Sequence, residues 1–199
     1  MKACFVPLIL ICLFTACADD VENNNPAAPA TELPDSTNKA KQFFPILDFM
    51  RGELKNIGTF ATAIKTYTTI GNKTDSGYIK PEEFNSIMQE YLPAELNKEN
   101  FERYYTESSF FDETTQTSNF TYSTKNDELD FHRVDVLVQG SETFDKVSSV
   151  FMAKFNGNDD SSVVKNMLLT PGKSVLVNSE ITTRGKKETR QDKYLWNWE

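Results

Sequence analysis

From about residue 118 to the end, turn signals cut the chain into short segments rich in β-branched and aromatic residues. The segments are 118–124, 129–139, 147–155, 163–169, 174–183 and 189–198. Between them stand Lys125-Asn126-Asp127, Gly140-Ser141, Asn156-Gly157-Asn158-Asp159, Pro171-Gly172 and Arg184-Gly185. Asn156-Gly157 and Pro171-Gly172 are strong hairpin signals, because both pairs supply the backbone angles of a tight turn. Short strands at regular spacing, with no helical stretch between them, fold as an antiparallel meander.

The half before this region reads differently. Phe43, Ile46, Leu47, Met50 and Leu54 recur at helical spacing and form one apolar stripe. Pro45 suits a first helical turn, where its missing N–H costs nothing, and Gly58 marks the end. Gly52 weakens this helix by about 1 kcal/mol relative to Ala, so tertiary packing must hold it. Residues 62–70 place Ile64, Thr66, Thr68 and Ile70 on one face at period two, which predicts a strand. The stretch 72–77 is read as a turn, and 81–92 as a helix. Pro81 stands at that helix start, Glu82 and Glu83 complement the positive end of its dipole, and Phe84, Ile87, Met88 and Tyr91 face the core. Residues 97–105 add a short third helix. The expected fold is therefore α+β: two or three N-terminal helices packed on a curved antiparallel β-meander of about six strands. It occupies 42–199 as a single globular domain.

The first residues carry an address. Met1-Lys2 is a charged start, 3–14 is apolar, and Thr15-Ala16 precede Cys17. A charged start, a short apolar centre and small residues at a cut site make a secretory signal. The apolar run is shorter than the roughly 20 residues a helix needs to span a bilayer. Leu13-Phe14-Thr15-Ala16-Cys17 resembles the processing site of bacterial lipoproteins, with Phe14 in a position where Leu, Val or Ile is usual. The resemblance implies that 1–16 are removed and that Cys17 is acylated as the new amino terminus; an ordinary signal cut elsewhere is the alternative. The three cysteines are Cys4, Cys12 and Cys17. On this reading only Cys17 survives, its thiol consumed by lipid, and the mature chain has no disulfide.

Asp19, Asp20 and Glu22 follow Cys17 and resemble the acidic run that sends Bacteroidota lipoproteins to the cell surface; a solvated tether is the plainer reading. The rest of 17–41 is rich in Asn, Pro and Ala without apolar periodicity, a flexible spacer. Asp35-Ser36-Thr37 fits a short O-glycan acceptor pattern and equally a turn. Asn72-Lys73-Thr74 and Asn119-Phe120-Thr121 match the N-glycan acceptor pattern, which is discounted for a bacterial lipoprotein.

Loss of Lys2 takes Lys plus Arg from 21 to 20 against 29 Asp plus Glu, a balance near −9. This acidity opposes a nucleic-acid partner and electrostatic attraction to anionic lipid, so the covalent lipid on Cys17 must provide the membrane anchor. With 15 Phe, 7 Tyr and 2 Trp the chain has the profile of a folded domain.

Residues 72–84 resemble a calcium-binding EF-hand loop, with Asn72, Thr74, Ser76, the Tyr78 carbonyl and Glu83 at the ligand positions. Glu83 would be the only charged ligand, and the entering segment reads as a strand, not a helix. The loop is therefore a minor alternative, and no metal or other cofactor is expected. His132 is the only histidine and lies in a strand pattern. No Gly-x-Ser-x-Gly elbow occurs, and one His without Cys falls short of a zinc set. Asp112-Glu113 and Asp127-Glu128 are carboxylate pairs of the kind glycoside hydrolysis uses, but acidic residues are frequent here. The expectation is a protein that is not an enzyme. Tyr194, Trp196 and Trp198 recur at period two on one face of the last strand. They form either a stacking platform for a sugar or apolar ligand, or a core anchor.

Four segments are also similar to a group of small uncharacterised lipoproteins of the Bacteroidota. They are Phe43-Phe44-Pro45-Ile46-Leu47, 78–84, Phe110-Phe111-Asp112-Glu113-Thr114 and Trp196-Asn197. The likeness implies an outer-membrane lipoprotein with no assigned activity, and it treats 78–84 as a strand-to-helix junction. The expected role is a lipid-anchored, non-enzymatic binding or accessory domain at the cell surface, of unknown ligand. The alternative is a carrier at the periplasmic face, holding an apolar or lipid ligand in a half-barrel-like sheet.

Overall fold

The structure is a computed structural model that describes residues 43–140, 146–158 and 160–197. Helix α1 (Ile46–Phe60) opens the fold and buries Ile46, Leu47, Met50, Leu54 and Ile57 along one stripe. It runs past Gly58 to Phe60, two residues beyond the expected end, because a Cβ-free residue weakens a helix without breaking it. A hairpin follows, β1 (Ile64–Ile70) and β2 (Lys73–Ile79). Next come α2 (Pro81–Met88), 3-10 turns over Gln89–Tyr91 and Ala94–Leu96, and α3 (Lys98–Tyr104). Pro81 stands in the first turn of α2, and the Asn97 side chain accepts the Asn100 N–H at 2.8 Å to cap α3.

The remaining chain is β3 (Thr106–Asp112), β4 (Thr117–Ser123), β5 (Phe131–Gln139), β6 (Val147–Gly157), β7 (Ser161–Thr170), β8 (Ser174–Thr183) and β9 (Lys186–Leu195). All nine strands form one antiparallel sheet in the order β2-β1-β9-β8-β7-β6-β5-β4-β3. Seven strands make a simple meander, and the β1–β2 hairpin joins it by pairing β1 with β9. The two edges are thus β2 and β3, consecutive in the chain, and the helical crossover between them runs over one face of the sheet. That covered side is the inner face.

The sheet is larger than the six strands expected, and two segments account for much of the difference. Residues 72–77 read as a turn because they carry Asp75, Ser76 and Gly77, yet Lys73–Ile79 pairs with β1 along its whole length. As an exposed edge strand it needs no apolar alternation. β3 carries no strand signal for the same reason: both Phe110 and Ser109 are exposed, so no face is marked. The helix expected over 81–92 stops at Met88 and tightens into a 3-10 turn that ends at Tyr91.

One core lies between the helices and the inner face. Phe84, Phe101, Tyr122, Phe131, Val134, Met152 and Met167 are each at most 1% exposed. Aromatic contacts join the layers: Phe101 meets Tyr122 at 4.8 Å between ring centres, and Phe84 meets Tyr194 at 5.3 Å. The Tyr105 hydroxyl donates to the Phe131 carbonyl, and the Tyr122 hydroxyl accepts the Phe44 N–H. Burial pushes both phenols far above their ordinary range, so they stay neutral partners. Gly157 closes the β6–β7 hairpin, where a Cβ would come within 2.8 Å of the Ser162 Cβ and 2.9 Å of its Cα. Among the described residues no helix is long and apolar enough to cross a membrane.

Candidate functional site

Two of the clefts among the described residues gather candidate binding side chains. The first is an end cleft of about 280 Å³ between the last turn of α1, the β7–β8 turn and the residues after β9. Phe60, Ile57, Ala61 and Trp196 line it with Asn56 and Asn197. Phe60 is 82% exposed, more than any other large hydrophobic side chain among the described residues. Glu53 fixes the opposite wall by accepting the Gly172 N–H at 3.0 Å. Trp196 lies one residue beyond β9, with its ring 5.6 Å from Phe84.

The expected aromatic row is divided by this geometry. Tyr194 is 9% exposed and packs under α2 against Phe84, as a core anchor. Trp196 is half-buried and reaches both the core and the cleft. Trp198 lies outside the described residues, as do Cys17, Asp19, Asp20 and Glu22. Phe60 was missed in the sequence because it follows Gly58 and falls off the apolar stripe of α1; only its isolation marks it.

The second cleft, about 390 Å³, lies on the inner face beyond α2. Its walls include Glu90, Tyr91, Lys165, Arg190 and Asp192. Glu90 accepts from the Lys165 ammonium at 2.7 and 2.9 Å and pairs with Lys154 at 3.3 Å. Lys154 in turn meets Asp130 at 3.2 Å. Burial alone would raise the Glu90 carboxyl; the hydrogen bond and charge of Lys165, with the charge of Lys154, overcome it and hold the group below its usual range. Asp192 behaves alike. Burial pushes it up, and hydrogen bonds from Arg190 and the Thr68 hydroxyl bring it below the ordinary carboxylate range. None of this network was legible in the sequence, since Glu90 and Lys165 are 75 residues apart.

The EF-hand-like stretch takes a different form. Thr74 and Ser76 stand in strand β2, paired with Thr69 and Tyr67, and the Thr74 and Thr69 hydroxyls bond each other at 2.9 Å. Tyr78 is on the same strand and is 64% exposed, whereas Glu83 belongs to α2. An extended strand spaces its residues over some 3.3 Å each and cannot wrap oxygens around one ion, so the loop reading does not survive. Asn72 sits in the β1–β2 turn. Among the described residues no group of three or more His, Cys, Asp or Glu side chains is gathered to hold a metal ion. His132 occupies an irregularity in the β5–β6 register, edge-on to Phe155 at 5.8 Å. Asp112 accepts the Thr114 N–H to shape the β3–β4 turn. Asp127 and Glu128 lie in the β4–β5 connection.

Comparisons with protein-family models, with curated proteins and with solved structures find no match for this chain.

Proposed function

We propose that this protein is a lipid-anchored, non-enzymatic binding protein of a bacterial envelope. In this reading acylated Cys17 holds it in the outer membrane, and Asp19, Asp20 and Glu22 direct it to the cell surface. The observation that carries the binding role is Phe60, an 82% exposed ring lining the same cleft as Trp196. Exposed aromatic faces beside amide side chains suit a ring with one apolar face and hydroxyl edges, a sugar above all. Asn56 and Asn197 supply the amides.

The carrier alternative draws support from helices laid over an antiparallel sheet, and the register shifts in β5 favour a bend there. Against it, the apolar floor of the inner face is already filled by Phe84, Met88, Tyr91, Leu96 and Phe101, each at most 2% exposed. A chain enclosed between the helices and the middle of the sheet would have to displace the protein's own core.

Protease digestion of intact cells, with a lysed control, tests the location. Loss of the domain from intact cells supports surface display, whereas protection until lysis favours the periplasmic face. Tryptophan fluorescence of the mature chain, titrated with di- and trisaccharides, tests the cleft. Saturable quenching that Phe60→Ala abolishes supports it; quenching indifferent to that substitution contradicts it.

A further inference from the structure

Lys165, Ser179 and Arg190 are direct cross-strand neighbours on β7, β8 and β9. Adjacent strands lie about 4.8 Å apart, so the three side chains form a short cation–hydroxyl–cation row on the inner face. All three line the second cleft. Ser179 is only 9% exposed, and its hydroxyl has no hydrogen-bond partner among the described residues. Its hydroxyl opens onto the cleft between the two cations, where it can donate to a ligand.

Both cations keep donors in reserve. Lys165 gives two hydrogen bonds to Glu90 and has a third N–H. Arg190 binds Asp192 through Nε and Nη2, at 2.6 and 2.8 Å, leaving further guanidinium N–H groups. Beside the row the cleft turns apolar and open. Ile87 on α2 is 36% exposed and Ile181 on β8 is 39% exposed, and Ile70, opposite Arg190 on β1, is 44% exposed. Three exposed isoleucines around a cationic row are a poor arrangement for an empty protein and a good one for an amphiphile.

We propose that this cleft binds a single-chain amphiphile with an anionic head. The head oxygens accept from Lys165, Ser179 and Arg190, and the alkyl chain lies over Ile87 and Ile181. Glu90 yields Lys165 to the ligand and keeps Lys154, its second cation. The seat lies at the margin of the core, so no core side chain moves. It is a different site from the aromatic cleft, and either can fail without the other. A free fatty-acid carboxylate and a lysophospholipid phosphate share this chemistry.

The test is calorimetric titration of the mature chain, carrying Cys17→Ala to remove its own lipid, with dodecanoate and with dodecyl phosphate below their micelle concentrations. Saturable binding of at least one is expected, weakened tenfold or more by Ser179→Ala and by Ile181→Glu. The latter is an exposed position that a folded domain tolerates; circular dichroism checks both variants. A preference for dodecanoate identifies a fatty acid, and a preference for the phosphate a phospholipid product. Acetate, a head without a chain, and a neutral alkyl polyoxyethylene ether are expected not to bind this cleft. Phe60→Ala is expected to leave dodecanoate binding unchanged. The proposal is overturned by absent binding of both anionic amphiphiles, by equal binding of the neutral ether, or by binding that both inner-face variants leave intact.

Discussion

Glu90 accepts two hydrogen bonds from the Lys165 ammonium across the inner face, tying the 3-10 turn after α2 to β7. The same carboxylate reaches Lys154 on β6 at 3.3 Å. One acidic side chain thus fixes the end of the helical crossover to two neighbouring strands. Glu90→Gln keeps the shape and removes the charge. It should lower stability by about 1–2 kcal/mol, since two half-buried ammonium groups lose a partner. Urea denaturation at neutral pH measures it; an unchanged midpoint would mean that apolar packing alone holds the crossover.

The pH dependence follows from the same groups. Glu90 and Asp192 both titrate below their ordinary ranges in the folded chain. A carboxyl depressed by folding contributes stability that is fully present above its unfolded pKa, near 4, and is lost as pH falls through the folded value. Stability should therefore hold from neutral pH to about 5 and decline below about 4. The Glu90→Gln variant should show a shallower decline than the parent in thermal melts across this range.

Two glycines make opposite predictions. A Cβ at Gly157 meets Ser162 at 2.8 Å, so Gly157→Ala should destabilise the β6–β7 hairpin by about 1–3 kcal/mol. Gly52 lies exposed within α1, and a Cβ there meets nothing within 4 Å. Gly52→Ala should stabilise the domain by about 0.5–1 kcal/mol. Chemical denaturation of the pair separates hairpin sterics from helix propensity.

Phe84 joins α2 to the last strand and the residue after it, with Tyr194 at 5.3 Å and Trp196 at 5.6 Å. It is 0% exposed, so Phe84→Ala should cost about 3–5 kcal/mol. It should also blue- or red-shift tryptophan emission by changing the surroundings of Trp196. Phe60→Ala, by contrast, removes a solvent-exposed ring and should leave the unfolding free energy within about 0.5 kcal/mol of the parent.

The legible parts of this fold are those whose local sequence carries its own signal. The stripe Ile46, Leu47, Met50 and Leu54 announces α1, and strands β4 to β9 follow from segments rich in β-branched and aromatic residues set between turn signals. The segment expected over 174–183 coincides with β8. The edges were not legible. Lys73–Ile79 and Thr106–Asp112 each face solvent along an open side, and their pairing depends on a neighbour the local sequence does not reveal. The pairing of β1 with β9 has the same cause: it joins Lys65 to Leu195, and no local pattern records so distant a partner. The site divides similarly. Trp196 was marked by its own size, whereas the row Lys165, Ser179 and Arg190 exists only after three strands have been set in register.

The most direct test of the account is whether Cys17 carries lipid. Cells fed a clickable palmitate analogue, expressing either the parent chain or Cys17→Ala, are fractionated and the protein is isolated. The account predicts a labelled parent in the membrane fraction, and an unlabelled variant released from it. An unlabelled parent, or a Cys17→Ala variant that still incorporates the label and sediments with membranes, would contradict it.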